Sequence, residues 1–122
     1  VKNQLKAYEY NKKDWIYIAG LFDGEGTIAK RGITQRGKLG YIPRVAITDK
    51  EIIDYLESTL NHGSRYEYRP RQSQTKSCYI WCVADINGIY WFLFHLAPLL
   101  RLNRKRLLAQ EVLKKIKTIY NP

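Results

Sequence analysis

The sequence has few cysteines and no long apolar run, which argues against a disulfide-stabilised protein and against a membrane-spanning one. Cys78 and Cys82 are the only cysteines. On one strand their Cα atoms would lie about 13 Å apart, which is too far for a disulfide. No apolar run approaches the roughly 20 residues of a membrane helix. Residues 1–10 carry no charged-then-apolar leader, so we expect an intracellular protein with reduced thiols, although trimming before Val1 stays open.

Acidic residues are also scarce, and this imbalance narrows the class of partner. The chain has 21 lysines and arginines against 11 aspartates and glutamates, a formal net charge of +10. Such a charge indicates an anionic partner, and on charge alone nucleic acid, an acidic membrane and an acidic protein all remain open. His62 and His95 are the only histidines, and neither has the spacing to the cysteines that a structural zinc site needs. The length predicts a single domain, residues 1–122.

The spacing of apolar and turn residues predicts a mixed fold. A helix begins at Asp14, which can cap its N-terminus, and ends near Gly24 and Gly26. The other predicted elements are strands at 27–33 and 41–48, a helix opened by a Thr48–Glu51 capping box and ending at Gly63, strands at 64–71 and 76–83, a helix at 86–97 capped by Asp85, and a helix at 103–120 with Leu108, Val112, Ile116 and Ile119 inward. This order favours an α+β protein with one four-stranded antiparallel sheet covered by helices on one face.

The segment IAGLFDGEG, residues 18–26, combines small and acidic residues at the end of the first helix. Gly20 and Gly24 have the spacing that lets two helix backbones approach closely. The two glycines fit a core helix or its C-terminal cap equally well. Taken alone, the acidic stretch that ends in Glu25 is more typical of a solvated turn than of a metal site.

The same segment resembles the signature of the LAGLIDADG homing endonucleases. It has conservative replacements at the first, fifth and eighth places and glycine at the seventh, and the following Thr27 and Ile28 also fit. The order of the predicted elements agrees with that family over essentially the whole chain. The resemblance implies an αββαββα-like LAGLIDADG endonuclease fold. It also implies a homodimer, because family members pair two motif helices at the active site and this chain has one copy. The predicted dimer interface consists of Ile16, Ala19, Gly20 and Asp23.

The resemblance assigns the metal site to the end of the motif helix. Glu25 occupies the acidic place that the family uses to bind a divalent metal, and Gly24 offers its backbone carbonyl to the same ion. Such oxygen ligands suit Mg²⁺, and Mn²⁺ or Ca²⁺ fit the same site. Asp23 is not assigned to the metal; it either supports the metal ligands from behind or hydrogen-bonds at the helix end. Asp49 occupies the position at which the family has a polar side chain near the attacking water. The alternative, to which we give equal weight, is that Asp49 only stabilises a helix N-terminus.

The position at which the family has a basic catalytic side chain falls within residues 101–106. An ungapped comparison with the family pattern, counted from Pro98, points to Asn103, which carries no charge. A shift of two residues selects Lys105, which we expect near the scissile phosphate because a cation there stabilises developing charge. The alternative is that this basic run only contacts the DNA backbone.

Alternation along the strands predicts which side chains face the DNA. Tyr41, Val45, Ile47, Tyr79, Trp81 and Val83 are predicted to face the helices, which sends Cys78 and Cys82 to the open face. A ribbon of antiparallel strands fits the major groove, where arginine binds guanine and small apolar groups meet the thymine methyl. The predicted DNA-binding residues are Thr27, Ala29, Arg31, Arg36, Lys38, Arg44, Ala46, Thr48, Arg65, Arg69, Arg71, Lys76 and Ile80.

The function that the resemblance implies is site-specific cleavage of double-stranded DNA in intron homing, at a long and nearly palindromic target. Two alternatives stay open. One is an RNA-binding splicing cofactor with intron RNA as its partner. The other is a DNA-binding regulator without nuclease activity, in which we would expect Glu25 to have been replaced. The family occurs in organelles and in archaeal introns, so we expect archaeal cytoplasm or a eukaryotic organelle.

Overall fold

The computed structural model describes residues 11–30, 40–69 and 77–120. Its elements are helix α1 (Lys12–Glu25), strands β1 (Gly26–Lys30) and β2 (Tyr41–Ile47), helix α2 (Lys50–Leu60), strands β3 (Ser64–Tyr68) and β4 (Cys78–Cys82), helix α3 (Ile86–Leu96), a 3-10 turn (Ala97–Leu99) and helix α4 (Asn103–Tyr120). The predicted order of elements is confirmed. Five residues predicted to bind DNA lie outside the described residues, namely Arg31, Arg36, Lys38, Arg71 and Lys76.

The four strands form one antiparallel sheet in the order β1-β2-β4-β3. Helices α1 and α2 pack against the central strands, and α4 packs against the edge strand β1. The predicted α+β architecture is therefore confirmed, with helices over one face and the other face open. Within the described ranges, no helix is long and apolar enough to cross a membrane.

A core of large aromatic side chains fixes α1 and α3 on the sheet. Trp15 and Phe22 of α1, Trp81 of β4 and Phe92 of α3 are fully buried. The Phe92 ring lies 5.8 Å from Trp15, 5.9 Å from Phe22 and 5.1 Å from Trp81, measured between ring centroids. Phe92 therefore joins the motif helix to the sheet, which sets where the end of α1 lies.

We expect Phe92→Ala to lower the free energy of unfolding by about 3–5 kcal/mol, because it removes buried surface and leaves a cavity. Phe94→Ala on the same helix is the matched control, since the Phe94 side chain is 54% exposed while Phe92 is 0% exposed. Urea unfolding followed by tryptophan fluorescence measures both. Equal losses for the two variants would contradict the packing described here.

Two predicted helix N-termini are wrong because a different residue supplies the cap. Asn11 caps α1, and its side-chain oxygen accepts hydrogen bonds from the backbone N–H groups of Lys13 (3.0 Å) and Asp14 (3.3 Å). Asp14 lies in the first turn of the helix, where it accepts a hydrogen bond from the Tyr55 hydroxyl (2.8 Å). At α2 the N-cap is Asp49 without a side-chain hydrogen bond, so the predicted capping box at Thr48 does not form.

Helix α2 also ends earlier than predicted. Its last residue is Leu60, and Asn61 adopts the left-handed conformation with φ 48°. Gly63, the predicted end, is required for another reason: its φ is 96°, and a Cβ there would lie 2.7 Å from Trp81 Nε1. That Nε1 donates to the His62 carbonyl (3.0 Å). The tight turn at Gly63 therefore starts β3 against the buried Trp81 ring.

Two burial predictions are wrong as well. In α4, Val112 and Ile116 are buried as predicted, but Ile119 is exposed and Ala109 is buried in the core. Cys82 is buried although alternation places it on the open face. It lies on a central strand, paired with Arg44 on one side and Ser64 on the other. A small side chain with strands on both sides retains little exposed surface.

Candidate active site and nucleic-acid interface

Glu25 is the last residue of α1, at the point where the helix passes directly into β1. The Gly26 backbone is extended, and its N–H donates to the Phe22 carbonyl to close the helix. A Cβ at Gly26 would overlap the Phe22 ring, so close packing requires glycine there. The Glu25 side chain is exposed. The glycine thus holds the helix end against the core while the carboxylate points to the surface.

Lys105 closes the end of the motif helix from α4. Its ammonium donates to three backbone carbonyls, those of Phe22 (2.9 Å), Asp23 (2.8 Å) and Gly26 (2.7 Å). The last carbonyls of a helix lack partners within the helix and favour a nearby cation. Burial and the neighbouring Arg104 lower the pKa of Lys105, while Asp23 and Glu25 oppose that shift. Lys105 therefore lies next to the motif, and all three of its N–H donors are used.

Asp23 ties the same helix end to the segment before α4. Its carboxylate accepts hydrogen bonds from the backbone N–H groups of Arg101 (2.8 Å) and Leu102 (3.2 Å). This agrees with a hydrogen-bonding residue at the helix end. It argues against the predicted place of Asp23 in the dimer interface, since the carboxylate is directed at its own chain.

A surface cleft of about 580 Å³ lies beside Glu25. Arg104, the first-turn neighbour of Lys105, is exposed on it. The residues that line the cleft are Gly24, Glu25, Gly26, Thr27, Ile28, Arg104, Lys105 and Leu108. The cleft therefore brings one carboxylate together with an exposed guanidinium.

The cleft offers oxygen ligands that fit a hard divalent cation only in part. Glu25 supplies a carboxylate and Gly24 a backbone carbonyl, whereas the carboxylate of Asp23 is engaged elsewhere. No group of three histidine, cysteine or acidic side chains able to hold a metal occurs among the described residues. Mg²⁺ is commonly held by one or two carboxylates, with water and phosphate oxygens as the remaining ligands. One chain thus supplies the right donor type and one of the one or two carboxylates that such a site uses.

The structure does not bring Asp49 to this cleft. Asp49 is exposed at the N-terminus of α2 and is not a lining residue. It also makes no side-chain hydrogen bond to the helix that it precedes. Of the three residues predicted to be catalytic, Glu25 and Lys105 lie together and Asp49 lies apart.

Over the part of the chain that the structure describes, the outer face of α1 is exposed from Ile16 to Gly24. Ile16 and Tyr17 are exposed, and a Cβ built at Gly20 or Gly24 would meet no atom within 4 Å. Ala19, predicted for the dimer interface, is only 2% exposed and belongs to the core instead. The outer face of α1 is therefore formed by Ile16, Tyr17, Gly20 and Gly24, of which Tyr17 was not predicted.

The open face of the sheet carries both predicted and unpredicted residues. Register pairs Thr27 with Arg44, and it places Ala46 and Tyr66 on either side of Ile80. Tyr66 and Tyr68 are exposed large side chains that sequence reasoning did not include. Their alternation with Arg65 and Glu67 along β3 could have indicated that the two tyrosines share a face of the sheet. The open face, as the name is used below, consists of Thr27, Ala29, Arg44, Ala46, Tyr66, Tyr68 and Ile80.

Two predicted DNA-binding arginines pair with carboxylates of their own chain. Arg65 lies on the helix-covered side of β3, where its guanidinium bonds to Asp54 and, at 3.4 Å, to Glu57 of α2. The hydrogen bond from Arg65 lowers the pKa of Asp54. Arg69 bonds to Glu67 at 3.0 Å. Neither arginine belongs to the open face. Thr48, which is also predicted to bind DNA, is exposed just beyond the end of β2.

Comparison with known proteins gives the class of this fold. No protein-family model matches the chain, and no curated protein matches it. Among solved structures it is similar to the homing endonuclease I-CvuI in complex with the I-CreI target in the presence of 2 mM Mg, a structure in which the DNA is not cleaved. That match has 25% identity and a TM-score of 0.68, and it covers 90% of this chain and 69% of that chain. The chain thus has the fold of a homing endonuclease.

Two further structures carry the same fold at lower identity. One is the archaeal intron-encoded homing endonuclease I-Vdi141I complexed with DNA, with 18% identity, a TM-score of 0.63, and coverage of 84% of this chain and 67% of that chain. The other is the LAGLIDADG meganuclease I-AabMI bound to uncleaved DNA, with 16% identity, a TM-score of 0.66, and coverage of 88% of this chain and 36% of that chain. The resemblance to the LAGLIDADG homing endonucleases is confirmed: this chain shares their fold, with the motif on its first described helix.

Proposed function

We propose that this chain is a metal-dependent, site-specific endonuclease that cuts double-stranded DNA as a homodimer. One observation carries the proposal: the exposed Glu25 carboxylate lies at the end of a helix whose outer face is open, beside a cleft that also holds Arg104. The structures of I-CvuI with target DNA, in the presence of Mg or Ca, support the binding of DNA together with a divalent metal. No observation on the described residues favours the splicing-cofactor alternative. The setting, archaeal cytoplasm or organelle, stays a prediction.

The Glu25 carboxylate and the Gly24 carbonyl would hold the divalent metal, for which we propose Mg²⁺, with Mn²⁺ or Ca²⁺ able to occupy the same ligands. When bound, such an ion activates water and stabilises the leaving oxygen of a phosphodiester. Lys105 and Asp23 contribute by fixing the helix end that carries Glu25. Their hydrogen bonds hold the Glu25 backbone in place before DNA binds, so little reorganisation is needed.

The outer face of α1 is the main support for a two-chain site. The outer face of α1 has glycine at two consecutive turns and an exposed Ile16, so the backbone of a second copy can approach closely. A two-fold axis through this face relates the two Glu25 residues across the centre of the target. The same axis gives each sheet one half-site and makes the target nearly palindromic.

Each open face would then lie in the major groove of its half-site. Arg44 is suited to guanine, and Ala46 and Ile80 to the thymine methyl. Tyr66 and Tyr68 add exposed rings and hydroxyl groups on the same face. The net charge of +10 supplies the attraction to the phosphate backbone. Arg31, Arg36, Lys38, Arg71 and Lys76 remain predicted contacts outside the described residues.

The experiment that tests this function is cleavage of a DNA duplex that spans the intron insertion site, in the form of the host gene that lacks the intron. We expect both strands to be cut in Mg²⁺, with no cutting when EDTA is present or when the half-sites are scrambled. The scrambled duplex separates specific cleavage from a contaminating nuclease. A wild-type protein that binds the insertion-site duplex tightly but never cuts it would rule out the endonuclease.

A further inference from the structure

We propose that Arg104 is the cation that contacts the phosphate at the cleavage site, while Lys105 is a positioning residue for the motif helix. The inference rests on the proposed function and names a residue of that same site. It begins with the donors of Lys105: an ammonium has three N–H groups, and the carbonyls of Phe22, Asp23 and Gly26 accept all three at 2.7–2.9 Å. Contact with a phosphate would require Lys105 to leave one of these carbonyls without its partner.

Arg104 differs from its basic neighbours in what its side chain contacts. It is exposed on the cleft that Glu25 lines, and within the described ranges its guanidinium has no hydrogen-bond or ion-pair partner. Arg106, by contrast, donates to the Leu100 carbonyl and to the Asn103 side chain. Arg101 is exposed but does not line the cleft. Arg104 is therefore the one residue of 101–106 with both access to the cleft and unused donors.

The chemistry of the guanidinium suits this place. Arginine presents parallel N–H donors that match two phosphate oxygens, and it stays charged at any relevant pH. A cation fixed where negative charge builds up in phosphodiester hydrolysis stabilises the transition state more than the ground state. Arg104 also follows Asn103 at the start of α4. Its backbone is held on both sides by hydrogen bonds to α1, from Arg101 and Leu102 to the Asp23 carboxylate and from Lys105 to the Asp23 carbonyl. The same contacts thus set the positions of Glu25 and Arg104 relative to each other.

The test separates DNA binding from cleavage in three proteins: wild type, Arg104→Gln, and the matched control Arg101→Gln, which removes the same charge three residues away. Binding is measured without metal, and the cleavage rate is measured in Mg²⁺ at saturating protein in a single turnover. We expect Arg104→Gln to lower the saturated rate by about 100-fold to 1000-fold. Its Kd for DNA should rise less than about tenfold, and its Tm should not change. Arg101→Gln should leave the saturated rate close to that of wild type.

Two further variants distinguish contact from positioning. Arg104→Lys should regain part of the lost rate, because a point charge replaces the paired donors. Lys105→Gln should lower the Tm by several degrees, because three carbonyls lose a charged donor, and should raise the Mg²⁺ concentration for half-maximal rate. Equal saturated rates for Arg104→Gln and Arg101→Gln overturn the assignment while leaving the endonuclease intact. Absence of cleavage by wild type overturns both.

Discussion

Glu25→Gln will bind the target DNA as wild type does but cut it at least about a thousandfold more slowly, corresponding to about 4 kcal/mol of lost transition-state stabilisation. The amide keeps the shape of the side chain and removes the charge that holds a divalent cation. Because Glu25 is exposed and outside the core, the fold should be unaffected. Single-turnover cleavage in Mg²⁺ and binding without metal, on the same duplex, measure the two effects separately.

The matched control for this variant is Glu111→Gln. Glu111 is also exposed, on α4, but it does not line the cleft. It should cut at the wild-type rate, which shows that the loss of one negative charge does not by itself slow the reaction. Comparable slowing in both variants would mean that the cleft beside Glu25 is not the active site.

Gly20→Leu should give a folded chain that no longer pairs with its copy. A larger side chain at Gly20 has free space within one chain, since a Cβ there meets nothing within 4 Å. In a closely packed pair of α1 helices the same side chain would force the backbones apart. DNA affinity should then fall by about 10²-fold to 10⁴-fold, because the second half-site no longer binds as part of one assembly, and double-strand cleavage should be lost with it.

Gln110→Leu is the control for the added apolar surface, because Gln110 is exposed on α4 and is not a residue of the outer face of α1. It should sediment and cut like wild type. Sedimentation equilibrium gives the mass, and a thermal melt shows that Gly20→Leu is folded. If Gly20→Leu keeps the mass and activity of wild type, the two chains do not meet through this face.

Much of the fold could be predicted because it depends on local patterns. Helix α4 spans 103–120 as predicted, and the predicted cap Asp85 accepts a hydrogen bond from the Gly88 N–H (2.8 Å). The N-terminus of α1 was misplaced because Asn11 and Asp14 are both good capping residues. Only the contact of Asp14 with the distant Tyr55 shows that Asp14 has another partner.

The candidate site was harder to predict, because its geometry depends on contacts between residues far apart in the chain. The motif identifies Glu25, but nothing local shows that Lys105 donates to the Asp23 carbonyl, 82 residues away. A basic run likewise does not show which side chain has its donors occupied. Arg65 illustrates the same limit, since its positive charge suits DNA, whereas its partners in the structure are Asp54 and Glu57 on α2.

The central claim is that one active site needs Glu25 from two chains, and a mixing experiment tests it most directly. Wild type and Glu25→Gln are mixed in denaturant at several ratios and refolded together, and the cutting of each strand, nicking included, is measured separately at constant total protein. If two chains share the site, the cleavage rate falls with the square of the wild-type fraction, because only wild-type pairs are competent. A rate that falls in direct proportion to the wild-type fraction would show that each chain cuts on its own and would contradict the shared site.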